Sequence, residues 1–271
     1  MLIGMMIIFI FYGSVAMAYL SNPNPSIHEA VASLKILQIC QAIGLFIIPG
    51  FLLSMYFSTK PLDYLGFKKI SVNLGFLTVL AVLFAYPAIN LLASLNEQIN
   101  LPEWMSGMEE KAQMLTKAFM QTNTFGGLIV NIIMIAILPA IGEELIFRGI
   151  FQKLFTELTG KAVWGIIISA ALFSAMHLQF QGFIPRFALG VLFSYMLIWS
   201  GSLWLPIIAH FVNNLMAIIG YTLIYKGNLP PEAENVGGLS VMWPLGIISI
   251  FAVLALLWKI KGEGSMIRKI E

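Results

Sequence analysis

Apolar runs long enough to cross a bilayer recur along this chain, separated by short polar punctuation. They fall near residues 2–20, 35–57, 72–94, 126–152, 162–178, 183–200, 204–225 and 243–260. At about 20 residues per crossing, the pattern predicts an all-α polytopic membrane protein with about eight transmembrane helices. The breaks carry turn chemistry: Asn22-Pro23-Asn24-Pro25, Thr59-Lys60-Pro61, Thr159-Gly160, Gln181-Gly182, Ser200-Gly201-Ser202 and Asn228-Leu229-Pro230-Pro231. The stretch from Asn96 to Thr124 differs. There Trp104, Met105, Met108, Ala112, Leu115 and Phe119 form a near-helical stripe opposite Glu103, Glu109, Glu110, Lys111 and Lys117, which predicts an amphipathic helix lying in the membrane interface. No internal repeat is visible, so an inverted-repeat transporter gains no support. Residues 1–271 read as a single membrane domain.

Composition agrees with the pattern. Of the 271 residues, 59% are hydrophobic and 10% charged, and the mean hydropathy is +0.89. Soluble domains carry about 25% charged residues, so that class is excluded. The 15 Lys and Arg are scattered and the formal charge is +2, which sets nucleic acid aside as a partner and leaves the lipid bilayer. Cys40 is the single cysteine; it cannot close an internal disulfide and reads as a packed hydrophobe. The first twenty residues lack a basic start and a small-residue cleavage site, and are read as a span, not a removable signal. Alternating the loops across eight spans puts Lys60, Lys68, Lys69, Lys153, Lys161, Lys259, Lys261, Arg268 and Lys269 on one side. Lys35, Lys111, Lys117, Arg186 and Lys226 fall on the other, with the loop glutamates 29, 97, 103, 109, 110, 232 and 234. Nine cations against five place both termini in the cytoplasm.

In so apolar a chain the informative residues are the ionisable ones inside the spans, each of which costs about 2.5–3.5 kcal/mol or more at the bilayer centre. Glu143, Glu144, His177 and His210 stand out, with Arg148 beside them and Asn213 and Asn214 one turn after His210. Glu144 and Arg148 are four apart with the acid first, the better order for an ion pair. Glu143 is turned about 100° away and has no partner in its own helix, so it must be protonated, metal-bound or paired with another span. Phe173 precedes His177 by one turn and His210 precedes Asn214 by one turn, so each pair shares a helix face. Glu143 and His177 are symmetric about Gly160, which sets them at similar height in a hairpin. Singly, each histidine reads as interhelical glue, and the Glu144–Arg148 pair as structural. Two carboxylates, two histidines and an asparagine at one depth favour a functional site.

A carboxylate and two histidines are the parts for activating water, by two routes. In one, Glu143, His177 and His210 hold a zinc ion that acidifies its bound water. In the other, metal-free route, desolvated Glu143 shares a water with His177 as general base while His210 and Asn214 donate hydrogen bonds to the developing oxyanion. Both hydrolyse an amide. The HExxH string of soluble zinc proteases is absent from the sequence.

Glu143-Glu144-x-x-x-Arg148, Phe173-x-x-x-His177 and His210-x-x-x-Asn214, in that order on successive helices, resemble the CAAX-processing and bacteriocin-processing enzyme family, intramembrane proteases related to the type II prenyl endopeptidase. The resemblance covers about 125–220, the motif-bearing core. It implies Glu143 as catalytic base, His177 and His210 as water-binding groups or metal ligands, Asn214 at the same centre, and Glu144 and Arg148 as essential or supporting. It leaves open whether the enzyme is a metalloprotease or uses glutamate alone. Short loops and no endomembrane sorting string point to a prokaryotic cell membrane, so the expected substrate is a membrane-associated peptide or protein other than a prenylated tail. The resemblance suggests bacteriocin maturation or self-immunity. A non-enzymatic immunity or scaffold protein of the same fold is the alternative, and a proton- or ion-coupled carrier a third reading.

Overall fold

The computed structural model describes residues 2–21 and 27–270, with side chains over 2–13 and 27–264. The turn expected at Asn22–Pro25 lies outside the described residues, as do the side chains of Arg268 and Lys269. The chain forms α1 (Leu2–Ser21), α2 (His28–Phe57), α3 (Pro61–Leu65), α4 (Val72–Asn96), α5 (Glu103–Met120), α6 (Phe125–Thr159), α7 (Ala162–Ala175), α8 (Phe183–Ser200), α9 (Trp204–Tyr225) and α10 (Trp243–Ile270). No strand occurs among the described residues. Wide π-turns interrupt α2 at Ile43–Ile47 and α6 at Ile132–Ile137 and Leu145–Phe151.

The all-α polytopic architecture is as expected, and among the described residues six helices are long and apolar enough to cross a bilayer, short of the eight expected. They are α2, α4, α6, α9, α10 and α8 with the turn that leads into it. The two shortfalls have backbone causes. In α1 the helical dihedrals break at Gly13 (φ 72°, ψ −170°). The 14-residue α7 ends at Ala175, giving about 21 Å at 1.5 Å per residue against a hydrocarbon core of about 30 Å. His177, expected inside this helix, therefore stands on the turn that follows it.

Tertiary contacts sort the loops onto the two ends that alternation predicts. At one end Leu203 donates its N–H to the Gly66 carbonyl at 2.7 Å, Ser202 Oγ donates to Lys68 O at 2.6 Å, and Ser71 Oγ donates to Glu263 Oε1 at 2.6 Å. At the other, Trp104 of α5 meets Phe180 edge to face, and Tyr86 and Asn90 of α4 donate to the Glu234 carbonyl. The hairpin joining α6 to α7 turns where the sequence places it. Gly160 has a φ of 68°, a conformation that costs an L side chain about 1–2 kcal/mol. Gly160→Val should lower the thermal unfolding midpoint in detergent while leaving the helical content of the folded protein unchanged.

Within α4, Pro87 removes a ladder hydrogen bond. Ser249 of α10 is inserted beside it, its Oγ accepting from Ala88 N at 3.1 Å and donating to the Phe84 carbonyl. Backbone groups freed at membrane depth must be satisfied within the protein, and this serine does so between two packed helices.

The amphipathic helix expected at 96–124 is present as α5, with one difference. Glu109, placed on the polar face by the sequence pattern, is buried, while Trp104 and Met114 are exposed. Glu109 Oε2 accepts from the backbone N–H of Gln181 at 3.3 Å. A carboxylate that caps a neighbouring loop is invisible to a periodicity argument, because its partner is 72 residues away.

Candidate active site

The middle of α6 carries both glutamates, and the π-turn Leu145–Phe151 begins directly after them. Such segments concentrate at functional sites, because an extra residue per turn re-aims side chains. The expected ion pair forms: Arg148 Nη1 donates to Glu144 Oε1 at 2.9 Å, with both side chains fully buried. Arg148 Nη2 donates to the Gly190 carbonyl of α8 at 3.0 Å. The guanidinium carbon also lies 4.6 Å from the centroid of Phe173 and 5.4 Å from that of Phe193. An anion, a carbonyl and two π-faces thus share the burden of keeping a cation at this depth.

Gly190 makes that approach possible. A Cβ there would stand 3.0 Å from the Ala170 Cβ of α7, so the bare backbone lets α7 and α8 close on each other. Gly190→Val should force the two helices apart and cost about 1–3 kcal/mol of stability by overpacking. Denaturant unfolding in detergent measures it, and wild-type stability would contradict this packing.

His210 of α9 joins the pair from a third helix. Its Nδ1 is 2.8 Å from Glu144 Oε1, and its Nε2 is 3.9 Å from Glu143 Oε2. The tautomer follows from the partners. A carboxylate ion-paired to arginine only accepts, so His210 Nδ1 carries the hydrogen and donates it, leaving a lone pair on Nε2 that faces Glu143. The ring is further fixed by stacking on Phe193, centroids 5.4 Å apart. Glu143 Oε2 thus faces the His210 Nε2 of another span without bonding to it, at a separation wide enough for one bridging water.

His177 is oriented by its own helix. Its Nδ1 is 2.9 Å from the Phe173 carbonyl, which can only accept, so here too Nδ1 donates and Nε2 is left as the acceptor. Phe173 is the common wall, meeting His177 at 5.3 Å and His210 at 5.8 Å between ring centroids. Asn214 sits one turn beyond His210. Its Nδ2 donates to the Ile135 carbonyl at 2.9 Å, and its Oδ1 accepts from Asn213 Nδ2 at 3.1 Å. Glu143, Glu144, Arg148 and His210 are therefore gathered into one cluster, His177 adjoins it through Phe173, and Asn214 anchors α9 to the π-turn Ile132–Ile137.

The donor set bears on zinc. Among the described residues no three His, Cys, Asp or Glu side chains gather as a metal ion requires. Of the three residues named as zinc ligands, Glu143 and His210 face each other, whereas His177 bonds through Nδ1 to the Phe173 carbonyl of its own helix. As placed, the three side chains do not close one ligand set among the described residues.

The turn carrying His177 is itself held from outside, by residues that the sequence pattern does not single out. Asn96, at the end of α4, donates to the Phe180 carbonyl at 3.1 Å and accepts from Ile184 N at 2.8 Å. Leu178 in this turn has a φ of 53°, a strained value for a branched side chain. Asn96→Ala would leave two backbone groups unpaired, at about 1–3 kcal/mol for each buried group. Faster amide exchange confined to residues 176–184 is the expected result. Phe193 was also missed, because one aromatic in an apolar run carries no signal of its own, whereas Gly190 is one of the small residues on the spans that allow close helix approach.

Two carboxylates and an arginine of α6 thus meet a histidine of α9, with the His177 turn alongside. Residues 125–216 match the family model described as Type II CAAX prenyl endopeptidase Rce1-like, so over this segment the chain is similar to that family. The chain is similar to the membrane-embedded CAAX protease MroQ of Staphylococcus aureus (strain USA300), with 35% identity over 108 residues, 38% of this chain and 41% of that protein. It is also similar to an uncharacterised 24.3 kDa protein of Escherichia coli, with 30% identity over 109 residues, 39% of this chain and 50% of that protein. The uncharacterised protein YpbD of Bacillus subtilis (strain 168) is 32% identical over 88 residues, 31% of this chain and 42% of its own length. The chain spans half or less of the length of these curated relatives. No solved structure matches.

Proposed function

We propose that this protein is an intramembrane endopeptidase that hydrolyses a peptide bond of a membrane-associated peptide or protein with a water activated by Glu143. The observation that carries the reading is the 3.9 Å separation of Glu143 Oε2 from His210 Nε2, with His210 held in one tautomer by the buried Glu144–Arg148 pair. A water between them donates one hydrogen to Glu143 and one to His210 Nε2, which aims an oxygen lone pair outward. As that oxygen bonds to the scissile carbonyl carbon, Glu143 takes the water's proton and the carbonyl π-electrons move onto oxygen. When the tetrahedral intermediate collapses, the C–N bond breaks and the leaving nitrogen receives the proton from Glu143.

The roles of the neighbours differ from the first expectation. His210 spends its N–H on Glu144, so in this tautomer it holds water and does not donate to the oxyanion. Asn214 has two amide hydrogens, one committed to Ile135, and the other is available to the oxyanion. His177 presents a second acceptor nitrogen for the water or the substrate backbone. The resemblance of 125–216 to the Rce1-like model and the similarity to MroQ, a membrane-embedded CAAX protease, support this assignment. The charge count supports both termini in the cytoplasm, and the short loops support a prokaryotic cell membrane.

Peptide N-termini profiled in membranes from cells expressing the wild-type chain, set against cells expressing Glu143→Gln, test the reading without a known substrate. New termini confined to the wild type are expected. Identical profiles would overturn the peptidase assignment.

A further inference from the structure

A hydrolase inside a bilayer must obtain its water through the protein. Four polar residues on α6, Glu144, Arg148, Gln152 and Thr156, recur every four positions and so share one helix face. Two of them demonstrably face α8, because Arg148 donates to the Gly190 carbonyl and Gln152 Nε2 to the Ser194 carbonyl at 3.4 Å. The line runs about 18 Å from Glu144 to Thr156 at 1.5 Å per residue. Thr156 and Gln152 line a surface cavity of about 410 Å³, bordered also by Asp63, Lys68, Lys153 and Glu157.

Buried polar atoms without a hydrogen-bond partner in the protein fall along this same line. They are Glu144 Oε2, Arg148 Nε, Gln152 Oε1 and Ser194 Oγ, with Glu143 Oε2 at its inner end. The residues that carry them are buried, Gln152 at 4% exposure and Glu144, Arg148 and Ser194 at 0%. Orphaned atoms at such burial each cost about 1–3 kcal/mol, and native proteins satisfy them with protein groups or ordered water. The chemistry names the ligand. Arg148 Nε–H only donates, Glu144 Oε2 and Gln152 Oε1 only accept, and the Ser194 hydroxyl does both. A small molecule that both donates and accepts satisfies all four. Successive groups four residues apart are separated by about 6 Å of rise, which one water spans with a bond of about 2.8–3.0 Å to each.

We propose that Gln152 and Ser194, with the outward edges of Glu144 and Arg148, form a water file that leads from the cavity beside Thr156 to Glu143 and supplies the hydrolytic water. This rests on the peptidase reading for its purpose but not for its existence. In it Gln152 and Ser194 are positioning residues, acting on the reaction through the waters they hold.

The first test is a structure of the full chain in lipid nanodiscs, at a resolution that shows ordered water. Water within about 3.2 Å of Gln152 Oε1, Ser194 Oγ and Glu144 Oε2 is expected. A dry stripe, its polar atoms paired to protein groups, would overturn the file. The second test compares Ser194→Val with Ser194→Thr, two side chains of like shape of which one keeps the hydroxyl. Ser194→Val should slow the appearance of the wild-type termini about tenfold, equal to ~1.4 kcal/mol on the barrier, and Ser194→Thr should restore the rate. Equal rates in the two variants would remove Ser194 from the path. The two readings fail separately. Water on the stripe of a chain that yields no termini beyond those of cells without it sinks the peptidase alone, and a dry stripe in a chain that Glu143→Gln silences sinks the file alone.

Discussion

Glu143→Gln should reduce peptide-bond cleavage about 10²–10⁴-fold, the contribution typical of a general base, with no loss of folding. The amide has the shape of the carboxylate but cannot take up the proton that water must give away. Stability should hold because Glu143 Oε2 has no hydrogen-bond partner in the protein and the carboxylate lies 3.9 Å from His210, beyond direct bonding distance. Rate of product formation and thermal unfolding, both in the same detergent, separate the two effects. Undiminished cleavage would end the role assigned to Glu143. Loss of cleavage accompanied by unfolding would show instead that its negative charge is structural.

The converse behaviour is expected next door. Arg148→Met should destabilise the protein by about 3–5 kcal/mol, because it strands the Glu144 carboxylate in a fully buried position. It also removes the bond to the Gly190 carbonyl and the contacts with Phe173 and Phe193. The double variant Glu144→Leu/Arg148→Met discriminates charge from packing. Replacing both members of a buried pair by apolar groups of similar volume is often neutral or stabilising, so folding should recover. Cleavage should not recover, since without Glu144 nothing holds the His210 hydrogen on Nδ1. If the double variant unfolds as readily as the single one, the pair is fixed by packing against α8 and not by charge balance.

Much of this was legible in the chain itself. Long apolar runs cannot be solvated, and in hydrocarbon the backbone must bond within its own segment, so an all-helical membrane architecture follows from composition and run length alone. The spacing of Glu144 and Arg148 set their ion pair, and a positive φ at Gly160 set the hairpin, because both are local. The same locality misled at His177. An apolar run does not show where a helix stops: α7 ends at Ala175, three residues short of the expected 178, and Asn96 and Glu109 hold the segment after it from other elements.

What only the tertiary structure decided is every relation that joins distant residues. His210 lies 66 positions from Glu144, so neither its contact nor its tautomer could be read from spacing. Packing sets its Nδ1 on Glu144 and turns its Nε2 toward Glu143. Packing also left His177 bonded to its own helix, not drawn into a three-ligand set with Glu143 and His210, and laid Gln152 against Ser194, 42 positions away. Sequence fixes what is buried and what is near in the chain, since hydrophobicity and helix geometry act over a few residues. Which buried polar groups meet depends on helix crossings, and these are set by close approaches such as that of Gly190 to Ala170, which no local pattern encodes.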